Sequence, residues 1–343
     1  MPNDIVTRAI DAVCAGDHLT TDHAAAVLAE IMEGRTSEVQ TAAFLVALRA
    51  KGETVPELVG LARTMRSLAD EVPSGRDDLV DTAGTGGGPS TFNISTAAAL
   101  VVRGAGATVA KHGNRAASSQ CGSADVFEAL GVPVTLPAAA VEECLRQAGI
   151  AFLFAPTFHP AMRHAANPRK ELGARTVFNF LGPLANPARV KRQAVGAGSL
   201  AAADKMVQVL AALGHERALV FHSEDGLDEL STAAPAHVFE LRDGQVHEHT
   251  VDSTALGLPR SVAADLRGGD AARNAEIVTA VLAGIPGPPR DIVVLNAAAG
   301  LVAAGSAEDL GAGMTLAAAA IDDGSAREAL ESLRTVASSL VAA

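Results

Sequence analysis

Residues 81–130, DTAGTGGGPSTFNISTAAALVVRGAGATVAKHGNRAASSQCGSADVFEAL, decide how this chain folds and where it binds. The apolar pair Leu79-Val80 enters Gly84-Thr85-Gly86-Gly87-Gly88, and Asn93-Ile94-Ser95-Thr96 then supplies capping residues ahead of an apolar helix over 97–102. The order is strand, flexible loop, helix start. Such a start presents unpaired backbone N–H groups and the positive end of the helix dipole, and glycines admit an anion with no Cβ in its way. A phosphate suits it, although glycine content alone equally suits a tight turn. Two commoner glycine motifs fail. A Rossmann fingerprint needs a glycine five places after Gly84, where Pro89 stands, and a Walker loop needs a Gly-Lys pair that the stretch lacks. A second donor-rich loop follows: Lys111-His112-Gly113-Asn114-Arg115, then Ser118-Ser119 and Gly122-Ser123, before a helix over 124–130.

Around this centre the sequence has two textures. Residues 1–72 read as short helices, because apolar residues recur at three- and four-residue spacing between caps: Thr21-Asp22, Ser37 with Gln40, and Thr54 with Glu57 and Pro56. Pro73-Ser74-Gly75 is the linker. Beyond it, β-branched runs alternate with alanine-rich helices, the pattern of a parallel α/β fold. Strands are expected near 79–80, 108–110, 150–154, 193–196 and 218–221, with helices over 138–147 and 200–213. Asp243-Gly244 marks a hairpin. Proline-rich interruptions at 155–160 and 182–187 flank a helix-like segment over 161–172. The expected class is therefore α/β, with a small helical domain over 1–72 and a larger domain over 76–343 built on a mostly parallel sheet.

Composition narrows the function. With 343 residues, 48% hydrophobic and 19% charged, the chain has ample core, and a net charge of −12 argues against broad nucleic-acid or anionic-membrane binding. An anionic ligand would need a locally basic pocket. Cys14, Cys121 and Cys144 lack metal or disulfide spacing, which fits a reducing compartment. Cys121 reads either as a thiol beside the loop or as a small buried filler. No signal peptide or membrane-length apolar run is read, so a cytoplasmic location is expected. His247 and His249 share a strand face without a third ligand, and read as a solvated edge.

Through Gly84-Thr85-Gly86-Gly87, Thr91-Phe92-Asn93-Ile94-Ser95-Thr96, Lys111 to Arg115 and Ser123-Ala124-Asp125, the chain resembles the anthranilate phosphoribosyltransferases of tryptophan biosynthesis. The blocks around Phe158-His159-Pro160 and Arg169, Val177 to Pro187, Asp225-Gly226-Leu227-Asp228-Glu229, and Gly268-Gly269-Asp270-Ala271 with Asn274 extend the resemblance over the whole chain. It departs at one point: the family's Asp after Gly-Thr-Gly-Gly is missing, and Gly88-Pro89 follows directly.

The resemblance implies transfer of phosphoribosyl from its diphosphate to anthranilate with Mg2+, in a cleft between two domains that a crossing segment over about 161–190 joins. It implies donor contacts at Gly84, Gly87, Gly88, Thr91, Asn93, Ser95, Thr96, Lys111, His112, Gly113, Asn114, Arg115, Ser118, Ser119 and Ser123, with 111–119 a mobile loop. For the acceptor it implies Gly84, His112, Asn114 and Arg169, the last suited to a carboxylate by its planar fork. Asp228 and Glu229 would hold the metal with Ser95, as hard oxygen ligands. No residue is assigned as general acid or base, because a neutral aromatic amine attacks without prior deprotonation. A homodimer through the helical domain is also implied. Two other readings stay open: a pyrimidine nucleoside phosphorylase of the same fold, and a non-enzymatic nucleic-acid-binding paralogue.

Overall fold

The structure is a computed structural model that describes residues 2–116 and 120–341. Ser118 and Ser119 of the expected donor loop lie outside the described residues.

Four helices come first, α1 (Asp4–Cys14), α2 (Thr21–Met32), α3 (Glu38–Lys51) and α4 (Val55–Ser67). Their caps follow the sequence with two shifts. Thr20, not Thr21, caps α2, and Gln40 turns its side chain to Asn3 and Thr7 instead of closing a box on Ser37. The box at Thr54 is complete, and its Glu57 does more than cap. Fully buried, the Glu57 carboxylate accepts from Leu19 N–H at 2.9 Å and Thr54 N–H at 2.8 Å, and pairs with Lys51 at 3.0 Å.

A seven-stranded sheet follows in the order β3-β2-β1-β4-β5-β6-β7. Its strands are β1 (Val80–Gly84), β2 (Val109–Gly113), β3 (Ile150–Phe154), β4 (Arg192–Gly196), β5 (Arg217–Ser223), β6 (Ala236–Arg242) and β7 (Gln245–Val251). β1 to β5 pair in parallel, and β6 and β7 add an antiparallel edge. Asp243 and Gly244 make that edge's hairpin with φ of 53° and 74°, the positive pair that a two-residue type I′ turn requires. His247 and His249 stand exposed on β7.

Helices cover both faces, and strand alternation assigns each residue to one of them. On β5, Leu219 and Phe221 join the core shared with α5 (Ile94–Gly104) and α13 (Pro288–Ala304). Ala218 and Val220 join the core shared with α11 (Leu200–Ala212) and the four N-terminal helices. That second core also takes Ala165 from α9 (Arg163–Leu172) and Val177, Phe178 and Leu181 from α10 (Val177–Leu184), so the crossing segment returns to the helical unit. The alanine and glycine content finds its use on the first face. A Cβ on Gly300 of α13 would meet Val102 Cγ2 of α5 at 2.7 Å, and one on Gly104 would meet Ala326 Cα at 2.6 Å. These helices approach more closely than larger side chains permit.

Strand order also positions the site. From β1 the chain moves to one side through β2 and β3, then returns to β4 on the other, so direction reverses between β1 and β4. A crevice opens there beyond the carboxyl ends of the strands.

Burial pushes the Glu57 carboxyl up, but the Leu19 and Thr54 amides and the Lys51 ammonium outweigh that and hold it below its ordinary 4.5. Its contribution to stability is therefore present above that value and lost as pH falls through the lowered one. Glu57→Ala, which strands Lys51 and two amides in the interior, should cost about 3 kcal/mol in denaturant unfolding near neutral pH; an unchanged midpoint would contradict this reading.

Candidate functional site

The carboxyl ends of β1 and β4 both finish in glycine, at Gly84 and Gly196, which are paired across the sheet. This places a floor without side chains at the switch point. The loop after β5, carrying Asp225 to Glu229, lies on that floor: a Cβ on Gly196 would stand 1.6 Å from the Asp228 carbonyl oxygen, and one on Gly84 would stand 3.1 Å from Asp228 Oδ2. Gly88 closes from the other side, where a Cβ would meet Gly226 O at 2.8 Å and Asp228 Oδ1 at 2.9 Å. The glycine loop and the acidic loop therefore touch backbone to backbone, with Asp228 between Gly84 and Gly88. Pro89 packs within this shortened turn, its Cδ lying 3.7 Å from the Cβ position of Gly226.

Beneath them sits a buried charged group. Lys111 lies on β2 and donates from Nζ to Thr82 O at 2.5 Å, with Ser95 Oγ 3.4 Å away. Asp81, fully buried on β1, accepts from His112 N–H at 3.1 Å and from Asn186 Nδ2 at 2.9 Å. Glu229 completes the cluster. Burial and the neighbouring Asp228 push its carboxyl up to about 8, against the opposing pull of Lys111 and the Ser95 N–H. Two adjacent carboxyls, one largely deprived of water and only partly balanced by lysine, form a pocket short of positive charge.

Other expected donors are placed less simply. Lys111, His112 and Gly113 belong to strand β2, so the loop begins only at Asn114, and a mobile loop starting at Lys111 is corrected. The reason is the parallel pairing of 109–113 with 150–154, which holds this backbone in the sheet. Asn93 precedes α5 but makes no cap. Its amide donates to Cys121 O at 3.2 Å and its carbonyl accepts from Asn274 at 2.8 Å, so it joins the two loops. Asn274 in turn accepts from Gly269 N–H at 2.8 Å, which gives the Gly268 to Asn274 block its work of bracing Thr91 to Asn93. The Thr96 hydroxyl is sealed within the protein and has no hydrogen-bond partner among the described residues, so its side chain is not offered to a ligand.

The second loop is held largely by its own residues. Ser123 Oγ donates to Asn114 O at 3.2 Å, while Asp125 accepts from Gly122 and Ala116 N–H groups at 2.8 and 3.2 Å. Arg115 is turned onto Asp125 and Glu128, at 2.9 and 2.6 Å. His112 presents a neutral ring: burial, the His159 ring 5.3 Å away and Lys111 push its pKa to about 3 despite the Gly182 carbonyl. Since that carbonyl can only accept, the Nδ1 that faces it at 3.1 Å carries the proton.

Arg169 stands apart from these loops on α9, half-buried, with its guanidinium 4.9 Å over the Phe178 ring. Among the described residues no carboxylate pairs with it, and burial lowers its pKa. Sequence reading missed Gly196, one glycine among 32 with nothing in its spacing to distinguish it. It also missed Arg175, between two matched blocks, whose Nη2 donates to Thr85 O at 3.1 Å.

The helical-bundle and α/β-domain models of the glycosyl transferase family match residues 7–69 and 76–327 respectively. The anthranilate phosphoribosyltransferase of Desulforamulus reducens is 51% identical over 98% of each chain, and that of Anaeromyxobacter sp. (strain K) 53% identical over 96% of this chain and 98% of its own. The chain belongs to the anthranilate phosphoribosyltransferases. The crystal structure of the Thermus thermophilus anthranilate phosphoribosyltransferase superposes with a TM-score of 0.91 at 41% identity, covering 96% of this chain and 99% of that one. The Saccharomyces cerevisiae enzyme, solved in complex with PRPP and Mg, gives 0.90 at 25% identity over 98% of each.

In this anthranilate phosphoribosyltransferase family member two consequences of the floor can be measured. Gly196→Ala should leave the fold intact but displace the acidic loop and lower turnover about 100-fold or more, the scale at which small misplacements near reacting groups act; wild-type turnover would contradict the geometry. Because the folded-state carboxyl of Glu229, about 8, lies above its ordinary 4.5, forced ionisation destabilises the metal-free protein as pH rises between them. Glu229→Gln should raise the metal-free melting temperature at pH 8.5 and lose that advantage toward pH 5; equal shifts at both would count against it.

Proposed function

We infer that this protein transfers the phosphoribosyl group of 5-phosphoribosyl 1-diphosphate to anthranilate, releasing N-(5-phosphoribosyl)anthranilate and diphosphate. The single observation that carries the reading is the acidic loop seated on Gly84 and Gly196 at the switch point, against the glycine loop.

The donor's anomeric carbon must develop oxocarbenium character as the C1–O bond breaks and its electron pair leaves on the diphosphate. The anthranilate nitrogen forms the new C–N bond with its lone pair and loses a proton late, so positioning and charge balance matter more than a nucleophile. We assign donor contacts to the backbone of Gly84 to Gly88 and to Thr91, Asn93 and Ser95. Arg169 would hold the anthranilate carboxylate, since a stacked, half-buried guanidinium with no carboxylate partner among the described residues is suited to bidentate pairing.

Mg2+ fits the donor set. Among the described residues no group of three His, Cys, Asp or Glu side chains is placed to hold a metal ion by itself. Two adjacent carboxyls with a nearby hydroxyl instead suit an ion shared with substrate phosphates and water. Asp228, Glu229 and Ser95 would hold it, and when bound it would neutralise charge on the diphosphate. We also propose the division into a helical unit over 1–72 and an α/β unit over 76–343, and a homodimer through the former, where Ile5, Val39 and Val46 stay exposed. No helix among the described residues is long and apolar enough to cross a membrane.

Diphosphate release should depend on both anthranilate and Mg2+, and Asp228→Asn with Glu229→Gln should lower it about 100-fold or more with the fold retained. Phosphorolysis of thymidine without anthranilate-dependent release would instead favour a nucleoside phosphorylase. Arg169→Ala should raise KM for anthranilate roughly tenfold, the scale of one lost charge-assisted bond, and leave KM for the donor nearly unchanged. Equal effects on both substrates would remove the acceptor assignment.

A further inference from the structure

We propose that Arg175 binds the diphosphate leaving group of the donor, supplying from the crossing segment the positive charge that the two loops lack; the inference rests on the phosphoribosyl-transfer reading above. Arg175 lies between α9 and α10, exposed, with its backbone carbonyl held by Arg49 Nη1 at 2.8 Å. Its side chain runs out over the glycine loop. The Cβ position of Gly87 is 1.8 Å from Arg175 Nη1 and 2.6 Å from Cζ, so the guanidinium occupies the space that any side chain at 87 would fill. One N–H donates to Thr85 O at 3.1 Å, and Nη2 lies 3.6 Å from the Cβ position of Gly198 in the loop after β4. The guanidinium thus bridges the loops after β1 and β4, at the mouth of the crevice.

Elimination among the cations points the same way. Lys111 is buried and spends its ammonium on Thr82 O, and Arg115 is neutralised by Asp125 and Glu128. Among the described residues no carboxylate pairs with Arg175, and only one of its five N–H donors is taken within the protein. An exposed guanidinium held at one corner, with its remaining donors free over a glycine turn, suits bidentate contact with phosphate oxygens. The chemistry needs such a group: when C1–O cleaves, the electron pair goes to the diphosphate oxygen, and a cation already in place stabilises that charge without reorganisation. Gly87 then has two roles. Its φ of 102° suits glycine alone, and its missing side chain leaves Arg175 room.

The test uses the full-length protein with Mg2+, comparing wild type with Arg175→Ala and Arg175→Lys in steady-state kinetics and in inhibition by added diphosphate. Arg175→Ala is expected to weaken diphosphate inhibition and raise donor KM by about tenfold or more, with anthranilate KM changed less than about threefold. Arg175→Lys, which keeps the charge but loses the fork, should recover part of this, and guanidinium ion should partly rescue the alanine variant. Thermal melting of both variants should match wild type, since the side chain is exposed. Unchanged diphosphate inhibition and donor KM in Arg175→Ala would overturn the proposal, as would a parallel loss toward both substrates, which a merely structural role would produce. If wild type itself shows no anthranilate-dependent diphosphate release, it is the underlying reading that fails.

Discussion

The contact on which the site depends is the approach of the Asp228 backbone to Gly196. A sheet can bring the end of one strand under the loop of another only where nothing projects from that end, and β1 and β4 both finish in glycine. The acidic loop after β5 therefore crosses two neighbouring strands and stops against the glycine loop after β1. Strand order sets which loops meet, and the absence of two side chains sets how closely. The resulting crevice combines backbone N–H groups from one loop with carboxylates from the other, a pairing that suits a polyanion only when a cation accompanies it.

The two loops do not meet that requirement by themselves. A chain with net charge −12 binds a polyanion through local structure, not its overall field. The buried cation nearest the acids, Lys111, is already committed to Thr82 O and shares the interior with Asp81 and Glu229. Burial holds the Glu229 carboxyl near 8, so close to neutral pH the pocket holds a proton that an incoming divalent cation would displace.

Much of this was legible before any coordinates. Strand 150–154 and helix 138–147 fall on their expected bounds because IAFLF is an unbroken apolar run and Pro137 and the positive-φ Gly149 bracket the amphipathic helix. The Thr54 box and the Asp243-Gly244 hairpin were legible because their chemistry is local. What stayed hidden is non-local. The extent of β2 over Lys111 to Gly113 depends on pairing with β3, and loop-like letters concealed it. Asn93 had the composition of a cap, yet Cys121 and Asn274, distant in sequence, claim its amide. Gly196 carries no mark of its role, since a close approach is recorded only in the residue that approaches. Arg175 was invisible for the same reason: its position follows from the space above Gly87.

The account's central claim is that the glycine floor and the acid pair form one site, completed by donor and divalent cation together. The most direct measurement is calorimetric titration of phosphoribosyl diphosphate into the protein at pH 7, with and without Mg2+, in buffers of different ionisation enthalpy. The account predicts that tight binding requires Mg2+ and releases protons, and that Glu229→Gln abolishes the release. Tight binding without Mg2+, or binding with no proton released, would contradict it.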